Sequence, residues 1–158
     1  MRVLNTIVLC VLGAAAVAAI PFSPKPMKQS AAEVAFDAEL NKQAAATNRV
    51  ILAKSYLQRY PNDVPLGQTA ADVIYSSGMN QAEAVAYLRN FAEAHPGEFG
   101  PQYYYAYVAD DTLLWDDKAH WALAKDSTNF WAWLMLANAE WRKQTPDLDT
   151  VSTRLEKA

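Results

Sequence analysis

Two stretches, Ser55–Asp63 "SYLQRYPND" and Ala86–Glu98 "AYLRNFAEAHPGE", decide how this chain is read, because the second restates the first. In each, an aromatic residue and a leucine precede a proline. Proline disfavours helical geometry in the residue before it, so each phrase describes the last turns of a helix and its stop. Pro61 and Pro96 stand 35 residues apart, and Ser127 holds the place of a third proline 31 residues further on. A recurrence at this spacing predicts stacked helical pairs, each unit burying against the next a face that it cannot bury alone.

The rest of the chain agrees with helices. No segment sustains an alternation of apolar and polar residues between turn signals, and the best strand-like run, Gln102–Val108 "QYYYAYV", is short, so an all-α fold is expected. Ser30 offers a side-chain acceptor to a helix start, with Glu33 three residues on as in a capping box. From Ser30 to Tyr60 the chain contains no Gly or Pro, and two helices with a break near Ala46-Thr47-Asn48 are predicted.

Particular residues then carry a resemblance. Ala84, Leu88 and Pro96 supply a small residue, a large apolar residue and a closing proline, with Phe91 where a small residue is usual. Trp133, Leu136 and Ala137 give an opening Trp-x2-Leu-Gly with Ala in place of Gly, although Glu140 stands where an aromatic would follow. Val151 and Leu155 take the small and large places in "DLDTVSTRLEKA". With a period close to about 34, the chain resembles the tetratricopeptide repeat family. The resemblance implies a right-handed helical-hairpin α-solenoid of three to four repeats over residues 30–158. Its units are Val64–Pro96, Phe99–Ser127 and Phe130–Ala158, preceded by a degenerate unit that ends at Pro61. An irregular helical bundle is the structural alternative.

The aromatic residues concentrate late in the chain, with eleven of eighteen between Phe99 and Trp141. Tyr104, Tyr105, Trp133, Leu136, Ala137, Ala122 and Leu123 are expected as packing residues. Trp131 lies about 160° around a helix from Trp133 and must face elsewhere. The resemblance implies that the first helix of each repeat lines a concave groove, which places Trp131, Leu134, Asn138, Trp141 and Arg142 there. Tyr103, Tyr107, Asp110 and Asp111 join them from the preceding repeat, and Gln68, Asp72 and Tyr75 from the one before. Rigid amphipathic rings with a few orienting polar groups suit a protein or peptide segment. The competing reading buries these rings against a neighbouring repeat, the N-terminal segment or a second copy of the chain.

The first twenty residues, "MRVLNTIVLCVLGAAAVAAI", combine one positive charge, an apolar run and small residues at the end. Residues 1–19 therefore read as a secretory signal, with an uncleaved anchor over residues 3–22 as the alternative. Lys25 and Lys28 follow the run, against the positive-inside preference of an anchor. Residues 20–29 are proline-rich and read as a linker. Cys10, the single cysteine, lies in the apolar run, so a cleaved chain would have neither a disulfide framework nor a thiolate.

Charge and motif exclude several classes of function. A net charge of −3, without a cluster of Lys and Arg, argues against nucleic acid as partner. In "DDTLLWDD", Asp110, Asp111, Asp116 and Asp117 lack the alternating ligands, Gly and Glu of a calcium loop, so a solvated turn is expected there. His95 and His120 lack a second histidine at metal-ligand spacing. With no phosphate loop or nucleophile elbow in the sequence, no catalytic residue, cofactor or metal is assigned. The expectation is a non-catalytic exported scaffold that binds a protein or peptide, periplasmic or secreted. The alternative is a helical accessory domain of an envelope enzyme or multi-protein complex. "TRLEKA" stops in mid-helix, which leaves a C-terminal edge available for self-association.

Overall fold

The computed structural model describes residues 29–76 and 80–158. Residues 1–19, read as a signal or anchor, and almost all of residues 20–29, read as a linker, lie outside the described residues. Among those described, every regular element is a helix: α1 (Ala31–Leu40), α2 (Ala46–Arg59), α3 (Val64–Ser76), α4 (Gln81–Ala94), α5 (Phe99–Ala109), α6 (Thr112–Lys125), α7 (Phe130–Trp141) and α8 (Leu148–Lys157). None of them is long and apolar enough to cross a membrane.

Local chemistry explains most of these boundaries. The Ser30 side chain accepts from the Glu33 N–H at 3.0 Å, which satisfies one free donor at the start of α1, and its hydroxyl donates to the Asp63 carboxylate. Asn80, Asp111, Asn129 and Asp147 cap α4, α6, α7 and α8 in the same way. The first break falls earlier than predicted. Helix α1 ends at Leu40, backbone bonds from Lys42 to Glu39 and from Gln43 to Leu40 close a tight turn, and Ala46-Thr47-Asn48 is the first turn of α2. Ala45 caps α2 without a side-chain bond, so the start carries no cap residue to mark it.

The three predicted repeat starts, Val64, Phe99 and Phe130, are the first residues of α3, α5 and α7. Before each lies a four-residue turn closed by the same bond: Asp63 N–H to Tyr60 O, Glu98 N–H to His95 O and Asn129 N–H to Asp126 O, all at 3.2 Å. Pro61, Pro96 and Ser127 fill the second position of these turns, so the prolines and the serine are structurally equivalent. Asn62 links two of the turns directly. Its Nδ2 donates to Glu98 Oε2 at 2.7 Å, and its Oδ1 accepts from the Gly100 N–H at 3.2 Å.

Each helix packs on the next along the chain, and α1 touches α3 as α3 touches α5. One apolar core runs through them, from Phe36 and Leu57 through Leu66, Ile74 and Leu88 to Leu136. Tyr104 holds its centre. The side chain is fully buried, and its hydroxyl lies 3.0 Å from the Pro61 carbonyl and 2.9 Å from that of Asp63. The ring passes so close to Gly67 that a Cβ there would lie 1.9 Å from Tyr104 Cζ. Absent side chains at Gly67 and Gly100 thus create the crevice that lets α5 lock onto the turn before α3.

Leu136, Ala137 and Ala122 are buried as expected, while Tyr105 and Leu123 are half-buried. Trp133 corrects the sequence reading, since it is half-buried at the edge of the core. Its indole N–H donates to Ser127 O at 2.9 Å, and Lys157 Nζ lies 4.5 Å from its ring centre. Because α7 is apolar on nearly every side, its sequence periodicity does not fix which stripe turns inward. The stripe that does includes Ala132, Met135, Leu136 and Ala139. Glu140 follows, buried where an aromatic was expected. It accepts from Lys143 Nζ at 2.6 Å and from the Asp147 N–H at 3.3 Å, and lies 3.5 Å from Arg154, which itself donates to Leu136 O. This network ties α8 to α7.

Candidate binding face on α3, α5 and α7

Helix α3 contributes Gln68, Asp72 and Tyr75, spaced so that all three lie along one side of the helix. Helix α5 brings Tyr103 and Tyr107 one turn apart, and their rings stack at 6.1 Å and 5°. Helix α7 adds Leu134 and Asn138, again one turn apart. Gln68, Tyr103, Tyr107, Leu134 and Asn138 come together around a pocket of about 90 Å³, completed by Trp115 and Met135. Five residues predicted for a groove, drawn from three separate helices, thus share one hollow.

The remaining candidates take different positions. Tyr103 is only 4% exposed, so it is the floor of the hollow rather than the open surface expected. Burial raises the pKa of its hydroxyl well above the ordinary tyrosine value, with the charges of Tyr107 and Asp72 acting in the same direction. Trp131 meets Tyr103 edge-on at 5.8 Å and 65° and is half-buried. Its ring helps to wall a shallower neighbouring cleft of about 610 Å³ at the N-terminal ends of the same helices. Tyr75 is half-buried against the core and does not line the pocket. Trp141 is 61% exposed, beyond the hollow at the end of α7. Arg142 donates to the Asp110 carboxylate, and its guanidinium lies 4.6 Å from the Trp115 ring centre. These contacts hold Arg142 at the rim.

Polar groups around the hollow are coupled. The Tyr107 hydroxyl is shifted upward, chiefly by burial, with Gln68 and Asp72 also acting on it. Asp72 is also shifted upward because partial desolvation disfavours its charge, while the neighbouring Tyr107 hydroxyl opposes that shift. An aromatic floor and two amides, with the Asp72 carboxylate outside the lining, can bury an apolar side chain and orient the polar groups beside it.

Asp110 and Asp111 form the α5–α6 turn. Asp110 takes the left-handed conformation, φ 54°, which aspartate tolerates, and Asp111 caps α6 by accepting from the N–H groups of Leu113 and Leu114. Asp116 and Asp117 belong to α6 itself, beside His120 and Lys118. The Nδ1–H of His95 donates to Glu98 at 2.9 Å, and the ring packs on Phe91. Among the described residues no group of three or more His, Cys, Asp or Glu is placed to hold a metal. The two lining residues that the sequence did not single out for the groove are Trp115 and Met135. Trp115 arrives from α6 with its indole N–H bonded to Ala106 O, a tertiary contact without a local signature. Comparison with protein-family models, curated proteins and solved structures finds no match to the chain.

Proposed function

We propose that the chain is a non-catalytic exported scaffold of tetratricopeptide-like repeats that binds a protein or peptide segment on the face formed by α3, α5 and α7. The observation that carries this reading is the convergence of Gln68, Tyr103, Tyr107, Leu134 and Asn138 around one small hollow, with Trp141 standing exposed beside it. Trp and Tyr concentrate at recognition sites. The identical turn bonds before α3, α5 and α7 support the repeat description, with each odd-numbered helix opening a unit and the next closing it. The apolar run after Arg2 supports export to the periplasm or beyond.

The test is capture from envelope extracts with the parent chain and with a Trp141→Ala/Asn138→Ala variant. Both positions are exposed, so the variant should fold and melt as the parent does. Proteins retained by the parent and lost by the folded variant support the reading. Equal retention by both would move the functional surface elsewhere. Co-purification with one enzyme whose activity depends on the chain would favour the accessory-domain alternative.

A further inference from the structure

On the other side of α5, a further hollow of about 450 Å³ opens between α4 and α6. Tyr105, Leu114, Pro96 and Trp121 give it apolar walls, Gln102 lies in its floor, and Arg89 and Lys118 stand on opposite flanks. Gln102 is 8% exposed. Its Nε2 donates to Ala92 O at 2.7 Å and to His95 O at 3.3 Å, which fixes the amide orientation. The Oε1 acceptor has no donor among the described residues and is not fully buried, so it is open to a donor from the hollow.

The electrostatics of the hollow differ from those of the chain. The whole sequence carries −3, but here Arg89 and Lys118 line the hollow with a single carboxylate, Glu93. Among the described residues Arg89 has no ionic partner within salt-bridge distance. Lys118 has only the largely exposed Asp117 at 3.5 Å. Lys125 lies 3.8 Å from the Trp121 ring centre and donates to Gly97 O at the rim.

We infer that the hollow between α4, α5 and α6 is a binding site for a small aromatic carboxylate, with Arg89 and Lys118 holding the carboxylate, Tyr105 and Trp121 flanking the ring and Gln102 Oε1 accepting from a donor on the ligand. Its volume lies within the range of small-molecule sites. A guanidinium matches a carboxylate in geometry and charge, and bonds of this kind are the stronger ones. The site is separate from the face on α3, α5 and α7, so either assignment can fail without the other.

The experiment titrates the full chain, ¹⁵N-labelled, with 2-naphthoate and follows the Trp121 indole N–H by two-dimensional NMR. The neutral 2-naphthamide serves as control. Saturable shifts at Trp121 and around Gln102 are expected with naphthoate, with affinity lower by about tenfold or more for the amide and for the Arg89→Ala/Lys118→Ala variant. An Arg89→Lys/Lys118→Arg variant, which keeps both charges, should retain most of the affinity. The indole spectrum reports directly whether each variant is folded. Absence of saturable binding would overturn the assignment. So would shifts centred on Trp131 or Trp133, or equal affinity for acid and amide.

Discussion

Substituting Gly67 by Ala sets two effects of opposite sign against each other. Helix propensity favours alanine in the interior of α3 by about 1 kcal/mol. Packing opposes it, because the new Cβ would lie 1.9 Å from Tyr104 Cζ, 2.2 Å from its hydroxyl oxygen and 2.4 Å from Cε1. Ordinary carbon contacts are about 3.5–4.0 Å, so the ring has to retreat by about 1.5 Å. Tyr104 is fully buried and has no free space to enter. The retreat breaks the hydroxyl's bonds to Pro61 O and Asp63 O, at about 1 kcal/mol each, and adds overpacking of about 1–3 kcal/mol. Offset by propensity, the net loss is about 2–4 kcal/mol, a fall in melting temperature of about 10 °C for a domain of this size. Urea unfolding followed by circular dichroism measures it, with an unchanged slope showing that stability alone has moved. Gly97→Ala is the control, since nothing lies within 4 Å of a Cβ there, and it should change stability by less than about 0.5 kcal/mol. A neutral or stabilising Gly67→Ala would refute the crevice, and with it the account of how α5 is locked to the turn before α3.

Three further predictions concern separate parts of the core. The buried Tyr87 hydroxyl has no hydrogen-bond partner among the described residues, so Tyr87→Phe should stabilise the chain by about 1 kcal/mol in the same assay; destabilisation would reveal a partner. The folded-state pKa of Glu140 is lowered, first by its bond from Lys143. Its contribution is therefore present above the ordinary value near 4.5 and lost as pH falls through the lower folded value. The stability gap between the parent and Glu140→Gln should accordingly close on acidification through that window, and a gap that widened would reverse the sign assigned. Trp133→Ala should cost about 1–2 kcal/mol, because the ring is half-buried, whereas Leu136→Ala, with 3% exposed, should cost about 2–5 kcal/mol. Equal losses would restore Trp133 to the core.

What the sequence made legible follows from what is local. A cap such as Ser30 acts on an N–H three residues away, and a proline constrains its immediate neighbour, so the starts at Val64, Phe99 and Phe130 were readable. Asn41–Ala45 escaped notice because the turn is closed by backbone bonds and carries neither Gly nor Pro. The depth of Trp133 on α7 was misjudged for a different reason, while Leu136 and Ala137 are buried. A helix written FWAWLMLANAEW offers apolar residues on all sides, and only packing against α6 and α8 chooses among them. Tyr103 and Tyr107 share one side of α5, as a spacing of four residues implies, but the depth of each depends on how close α3 and α7 approach. Gly67, Gly100 and Glu140 owe their roles to partners many residues distant in sequence. The same holds for the hollow between α4 and α6, which exists only once α5 lies beneath it.

The most direct test of the proposed binding face places a photo-crosslinking p-benzoylphenylalanine at Asn138, beside the hollow, and in a parallel chain at Ile51, an exposed position on α2. Irradiation in living cells should give a discrete adduct with one protein from position 138, weakened by an added Trp141→Ala, and none from position 51. Adducts from position 51 alone, or an adduct at 138 indifferent to Trp141, would contradict the assignment of α3, α5 and α7 as the surface that holds a partner.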